Sequence, residues 1–295
     1  MLFPPENITT DELTGAFLAE KKVRLFVLRL DKIHPVVSGN KLFKLHYFLE
    51  DALKNKHDTV VTFGGAYSNH LVATAYACRE LNLTSIGVVR GEAPAIFSPT
   101  LQHCLELNMK LEFVSKEEYR IISKQPTNEA KVTLIPEGGF APMGACGASH
   151  ITNFIKGMNA THVVAAVGTG TSLAGLLLNA DALQTIIGVP VLKGFTDLSN
   201  RLQLLTGTDR YYNMAIFDQY HFGGYAKKTA ALIAFMNEVY KEHQLPTDFV
   251  YTAKMMFAVF EQLKLGFFPE GSCIVAIHTG GLQGNQSLPG GTLIF

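Results

Sequence analysis

The sequence predicts an α/β fold with parallel sheets, and three observations predict it. Short β-branched runs alternate with longer stretches of helical spacing along the whole chain. Glycine clusters follow directly on three of those runs, the placement expected where a ligand meets the carboxyl ends of parallel strands. At 295 residues the chain exceeds the size at which one core keeps growing, so two sub-domains sharing an interface are expected.

Taken in order, residues 24–28 (RLFVL), 58–63 (DTVVTF), 84–89 (TSIGVV), 161–167 (THVVAAV) and 273–279 (CIVAIHT) read as strands. They are nearly continuous apolar runs rather than alternating ones, which marks strands buried on both faces. Helical spacing covers 41–53, 69–81, 171–183 and 226–243. Repeated strand-helix-strand units imply parallel pairing. The glycine clusters are Gly64-Gly65, Gly168 with Gly170, and Gly280-Gly281. No internal repeat or low-complexity linker interrupts the pattern.

Composition removes several function classes. Lys plus Arg and Asp plus Glu both number 25 with no basic stripe, so nucleic acid is not an expected partner. No apolar run approaches the ~18 residues that span a bilayer. The opening MLFPPENITTDELTG lacks the basic and then apolar layout of a signal peptide. A soluble, cytoplasmic protein without a membrane partner is therefore expected. Cys78, Cys104, Cys146 and Cys273 form no C-x-x-C pair and read as buried thiols. The histidines show no H-E-x-x-H spacing, so no metal is expected.

Three segments carry chemistry. In S-G-N-K-L-F-K-L (38–45), Lys41 falls in the first turn of a helix and Lys44 three residues later. The positive helix end displaces a lysine toward its neutral form, which is the form that can attack an aldehyde. In V-G-T-G-T-S-L-A-G-L (167–176), Gly168 and Gly170 allow close approach of an anion. Thr169, Thr171 and Ser172 add hydroxyls beside free helix N–H groups, so a phosphate fits there. A dinucleotide fingerprint does not, because Leu173 stands where its third glycine belongs. In F-G-G-A-Y-S-N-H (63–70), Ser68 and Asn69 suit either helix capping or contact with a ligand.

Together with I-P-E-G-G (135–139) and H-T-G-G (278–281), these segments occur in the order of one family. The chain resembles the 1-aminocyclopropane-1-carboxylate deaminase and D-cysteine desulfhydrase family, within the tryptophan synthase β-like pyridoxal phosphate enzymes, from about residue 20 to the C-terminus. The resemblance implies pyridoxal 5′-phosphate as cofactor, bound to Lys41 as a Schiff base. Lys44 and the loop from Gly168 to Ser172 would hold its phosphate, and Asn69 its ring oxygen. Ser68 would face the substrate carboxylate, with Tyr67 and His70 beside it. Tyr225 in G-G-Y-A and Tyr251 in V-Y-T-A-K match the family's substrate-side tyrosines. The resemblance further implies a large domain from 1–43 and 151–295, a small α/β domain from 44–150, a site between them, a small amino-acid substrate and a homodimer.

Two threonines bear on the activity. Where the deaminase branch has a glutamate after the second tyrosine, this chain has Thr252, and Thr279 stands in H-T-G-G. A neutral hydroxyl leaves the pyridine nitrogen largely unprotonated and the electron sink weaker. That favours β-elimination of the D-cysteine desulfhydrase kind, giving pyruvate, ammonia and sulfide, over cyclopropane deamination. Racemisation of a small amino acid and cofactor binding without turnover are the other readings. The chain departs from the family at Tyr67, where both branches carry glutamine, in R-L-D-K around Asp31, and in lacking an arginine over 71–74.

Overall fold

The computed structural model describes residues 7–34, 39–123, 125, 130–211 and 213–295. Ser38, which opens the lysine motif, lies outside the described residues. In chain order the elements are β1 (Thr9–Leu13), α1 (Ala16–Lys21), β2 (Arg24–Arg29), α2 (Lys41–Lys54), β3 (Thr59–Gly64), α3 (Asn69–Glu80) and β4 (Thr84–Arg90). Next come α4 (Pro99–Glu106), β5 (Lys110–Val114), α5 (Lys116–Ile122), β6 (Val132–Ile135), α6 (Pro142–Ser149), β7 (His162–Val167) and α7 (Thr171–Leu178). The chain continues through β8 (Thr185–Pro190), α8 (Leu198–Thr206), β9 (Met214–Ile216), α9 (Ala230–His243), α10 (Thr252–Lys264) and β10 (Cys273–His278).

The strands form two sheets. One has the order β1-β2-β10-β7-β8-β9 and the other β5-β4-β3-β6. Every pairing is parallel except β1 with β2. Because β10 lies between β2 and β7, the carboxyl ends of three parallel strands meet at one edge. The sheets do not keep separate interiors: Leu28 of β2, Val60 of β3, Ile135 of β6 and Val163 of β7 belong to one buried cluster. Helix α2 lies across that cluster with Leu42, Phe43, Leu45 and Leu49 buried. Each such side chain contributes about 1.5–3 kcal/mol, and their packing fixes the direction in which Lys41 and Lys44 leave the same helix.

Two helix boundaries differ from the sequence expectation. The segment 171–183 is helical only to Leu178, because Asp181 and Gln184 close a turn instead: Asp181 N–H donates to Gln184 Oε1 at 3.1 Å and Leu183 N–H to Asp181 Oδ1 at 3.2 Å. The segment 226–243 becomes helical only at Ala230, since Ala226 has φ +53° and Thr229 caps the helix by accepting from Leu232 N–H at 3.2 Å. The expectation of four buried thiols needs correction too. Cys146 is exposed on α6. Burial pushes the thiols of Cys78 and Cys104 up to about 12. Among the described residues no helix is long and apolar enough to cross a membrane.

Candidate active site

The amino ends of α2, α3, α7 and α10 and the segment after β10 surround one cleft, with about 520 Å³ of unfilled space that includes solvent at its mouth. Lys41, Lys44, Asn69, Gly168, Thr169, Gly170, Ser172, Tyr251 and Thr279 all line it. Two of the three glycine clusters, Gly168 with Gly170 and Gly280-Gly281, are thus brought together with the lysine motif, while Gly64-Gly65 stays outside the lining.

At the floor the chain crosses itself. Gly39 has φ +85°, and a Cβ on it would sit 1.8 Å from Thr279 O. Asn40 N–H donates to that same carbonyl at 3.2 Å. Asn40 then links two elements by its amide: Oδ1 accepts from Lys41 Nζ at 2.7 Å, and Nδ2 donates to Ser172 Oγ at 2.6 Å. Gly170 caps α7 with φ +96°, where a side chain would be strained. Behind Thr279, Arg29 holds Asp31 with two bonds of 2.9 and 2.7 Å, and Asp31 lies 3.2 Å from His278 Nδ1. Burial alone would raise the Asp31 carboxyl, but His278 and Arg29 hold it below its ordinary range.

The two lysines are set for an anion. Burial lowers the Lys41 amine to about 8, opposed by the charge of Asp248. Lys44 is 5% exposed, and burial and Lys41 hold its amine well below the ordinary range. Two neighbouring buried amines and the free N–H groups of the α7 amino end make a cradle for a negatively charged group. Asn69 Oδ1 is buried without a hydrogen-bond partner.

Other expected site residues lie outside the lining. Thr171 is buried with Oγ1 2.9 Å from Thr169 Oγ1. His70 turns inward, its Nε2 2.9 Å from Thr62 Oγ1, and burial together with Lys41 and Lys44 lowers it to about 3. Thr252 turns away from the cleft: its Oγ1 donates to Asp248 Oδ2 at 2.6 Å. Of the two threonines, Thr279 is the one that reaches the cavity. Ser68 occupies the cap position of α3 but makes no side-chain cap bond, so capping does not explain it. Tyr67 and Tyr225 are 50% and 48% exposed, and Tyr225 stands at the mouth beside Tyr251. The ring of Tyr225 lies 6.0 Å from that of Tyr251. Tyr251 is held protonated far above its ordinary range by burial first, then by Tyr225, Asp248 and Glu137.

Sequence reasoning missed Asp248. It is fully buried, and its Oδ1 accepts from Val250 N–H at 3.0 Å and Tyr251 N–H at 2.7 Å. Its Oδ2 accepts from Thr252 N–H at 2.9 Å. Burial raises the carboxyl against these bonds. The cap places Tyr251 at the head of α10, and an aspartate just ahead of the helical pattern was the available signal.

Residues 12–280 match the model of the pyridoxal-phosphate dependent enzymes. The chain belongs to that family. Within it, this pyridoxal-phosphate enzyme is 31% identical to a Thermotoga maritima protein provisionally named 1-aminocyclopropane-1-carboxylate deaminase, over 88% of this chain and 89% of that one. It is 27% identical to the mitochondrial bifunctional D-cysteine desulfhydrase/1-aminocyclopropane-1-carboxylate deaminase of Arabidopsis thaliana, over 88% and 73% of the two chains. The crystal structure of an ACC deaminase homologue superposes with a TM-score of 0.81 at 26% identity, covering 97% of this chain and 92% of that one. The tryptophan synthase β-like fold expected from the sequence is the fold of this group.

The residues present suit the cofactor. Lys44 and the α7 amino end fit a phosphate, the amide N–H of Asn69 in the lining can donate to a ring oxygen, and Lys41 supplies an amine lowered to about 8.

Proposed function

We propose that this enzyme is a lyase that removes the β-substituent of a small amino acid, as a D-cysteine desulfhydrase does, releasing pyruvate, ammonia and sulfide. The observation that carries the reading is that the described lining of the cleft includes no carboxylate, and the segment after β10 offers the neutral hydroxyl of Thr279. A neutral partner for the pyridine nitrogen makes a moderate electron sink. That suffices to break an activated Cα–H bond and disfavours a cyclopropane carbon that has none.

When bound, pyridoxal phosphate supplies the sink for the electron pair left as Cα–H breaks. The rest falls to the chain. Lys44 and the first-turn amides of α7 bind the phosphate, and Asn69 holds the ring oxygen. Lys41 takes the α-proton at Nζ, its basicity tuned close to neutral by burial. Ser68 Oγ, free of any cap bond, orients the substrate carboxylate. Tyr251 Oη carries a proton toward the leaving group, with Tyr225 beside it. The Cα–H and Cβ–S bonds break, sulfide departs, and water converts the released unsaturated amine to pyruvate and ammonia. A cytoplasmic location, a homodimer and the division into 1–43 plus 151–295 and 44–150 belong to the same proposal.

Cyclopropane-carboxylate deamination is the second reading, favoured by the Arabidopsis relative named for both activities. The test incubates the cofactor-loaded protein separately with D-cysteine, L-cysteine, D-serine and 1-aminocyclopropane-1-carboxylate, measuring 2-keto acid and ammonia. Pyruvate from D-cysteine without 2-oxobutyrate from the cyclopropane is expected. Reaction of the cyclopropane alone overturns the reading. Lys41→Ala, run as the blank, should lose at least about a thousandfold in turnover, and retention of a tenth of the activity would remove Lys41 from its role.

A further inference from the structure

The loop between β9 and α9 runs through an unfavourable backbone. Phe222, Gly223, Gly224 and Ala226 have φ of +52°, +93°, +118° and +53°. Two of these carry a Cβ, for which the left-handed region is costly. Such a run persists where its surroundings over-determine it.

Lys254 supplies the constraint. Lys254 is 0% exposed, and its Nζ donates to His221 O at 2.9 Å, just ahead of the run, and to Gly224 O at 2.7 Å, inside it. One helical turn further along α10, Phe257 meets the ring of Phe222 edge-on at 4.9 Å. Lys254 sits in the first turn of α10, where the helix dipole disfavours a cation, and lysine is rarely buried unless paired. Burial lowers its amine to about 8, opposed by Asp248. A buried lysine at the wrong end of a helix, gripping two carbonyls of a strained loop, is poorly explained by stability alone. The second carbonyl belongs to the residue immediately before Tyr225, whose ring faces Tyr251 in the cleft.

We propose that Lys254 is a positioning residue: by clamping the 221–225 loop to the head of α10 it sets Tyr225 against Tyr251 at the mouth of the cleft. It touches neither substrate nor cofactor. The clamp stands on the loop geometry; its effect on turnover rests on the proposed role of the tyrosine pair.

Two readouts test it. Lys227 and Lys228 are exposed just beyond the clamp, and Lys116 is exposed on α5 at the other sheet, so trypsin reports on both places. In the protein without cofactor, Lys254→Met should speed cleavage after Lys227 and Lys228 by about tenfold or more while cleavage after Lys116 stays unchanged. Lys254→Arg, which keeps the donors, should cleave like the parent. Equal acceleration at both places, or none, overturns the clamp. If the methionine variant does not fold, Lys254→Gln should show the same selectivity at about threefold, and parent-like cleavage in it counts against the clamp.

In the loaded enzyme Lys254→Met should lower kcat/KM by about tenfold, but by less than about twofold when Tyr225→Phe is already present. Equal losses in both backgrounds would show that Lys254 does not act through Tyr225. An enzyme inactive on every amino acid tried, yet selectively cleaved, sinks the proposed reaction and leaves the clamp; an active enzyme with unselective cleavage does the reverse.

Discussion

The floor of the cleft is made of backbone and buried side chains: Gly39 against the Thr279 carbonyl, Gly170 at the head of α7, and Lys44 closed off from water. Tyr225 stands at the mouth and Tyr67 just ahead of the α3 cap, both about half exposed and carried on loops. At the floor, an added Cβ at Gly39 collides with main chain and one at Gly170 is strained by its positive φ, so a substitution at either is a folding error. At the mouth, a side chain can change without disturbing what lies beneath it. The proposed chemistry is therefore anchored in the part that cannot vary, and the proposed substrate selection in the part that can.

The largest effect that tests this contrast is Gly39→Ala. The new Cβ meets the Thr279 carbonyl at 1.8 Å on a backbone of φ +85°. Denaturant melts should show a loss of about 3 kcal/mol or more, and cofactor uptake should fail with it. A stable variant that still binds cofactor would mean that the floor yields as readily as the mouth. Tyr67→Ala should do the opposite. Its unfolding free energy should stay within about 1 kcal/mol of the parent, while the ratio of kcat/KM between two amino acids shifts about tenfold. Unchanged preference would take Tyr67 out of substrate selection.

The smallest effect is the pH dependence of the protein without cofactor. Burial holds the Lys41 and Lys254 amines at about 8, below the 10.5 of an unfolded lysine. Between those values the unfolded chain binds more protons, so stability rises as pH rises through 8. Above pH 9 the buried Cys78 and Cys104 thiols, held at about 12, act the other way, because the unfolded chain loses those protons first. Melting temperature should climb from pH 8 to 9 and climb less in Lys41→Met. An unchanged slope in that variant would show that Lys41 is not desolvated.

What the sequence made legible follows the same division. The five apolar runs became β2, β3, β4, β7 and β10, and Lys41 and Asn69 begin helices where the pattern places them. Such features depend on local periodicity and on turn chemistry within a few residues. The contacts that complete the site are of another kind. Asn40 reaches Ser172 across 132 positions, Arg29 closes on a carboxylate that in turn faces His278, and Thr252 turns to Asp248 rather than to the cavity. No local pattern encodes which way a side chain turns, so Thr252 and His70 read as ligands although Thr252 bonds to Asp248 and His70 Nε2 faces Thr62 inside the fold.

The crossing of residues 39 and 40 over residue 279 also has a consequence for biosynthesis. A ribosome releases the lysine-bearing helix long before the strand that forms its floor. Until β10 has emerged and slid between β2 and β7, the nascent protein has no place to keep a cofactor. Vitamin capture is thereby deferred until β10 has emerged, and fragments cut short of it carry Lys41 without an assembled cleft.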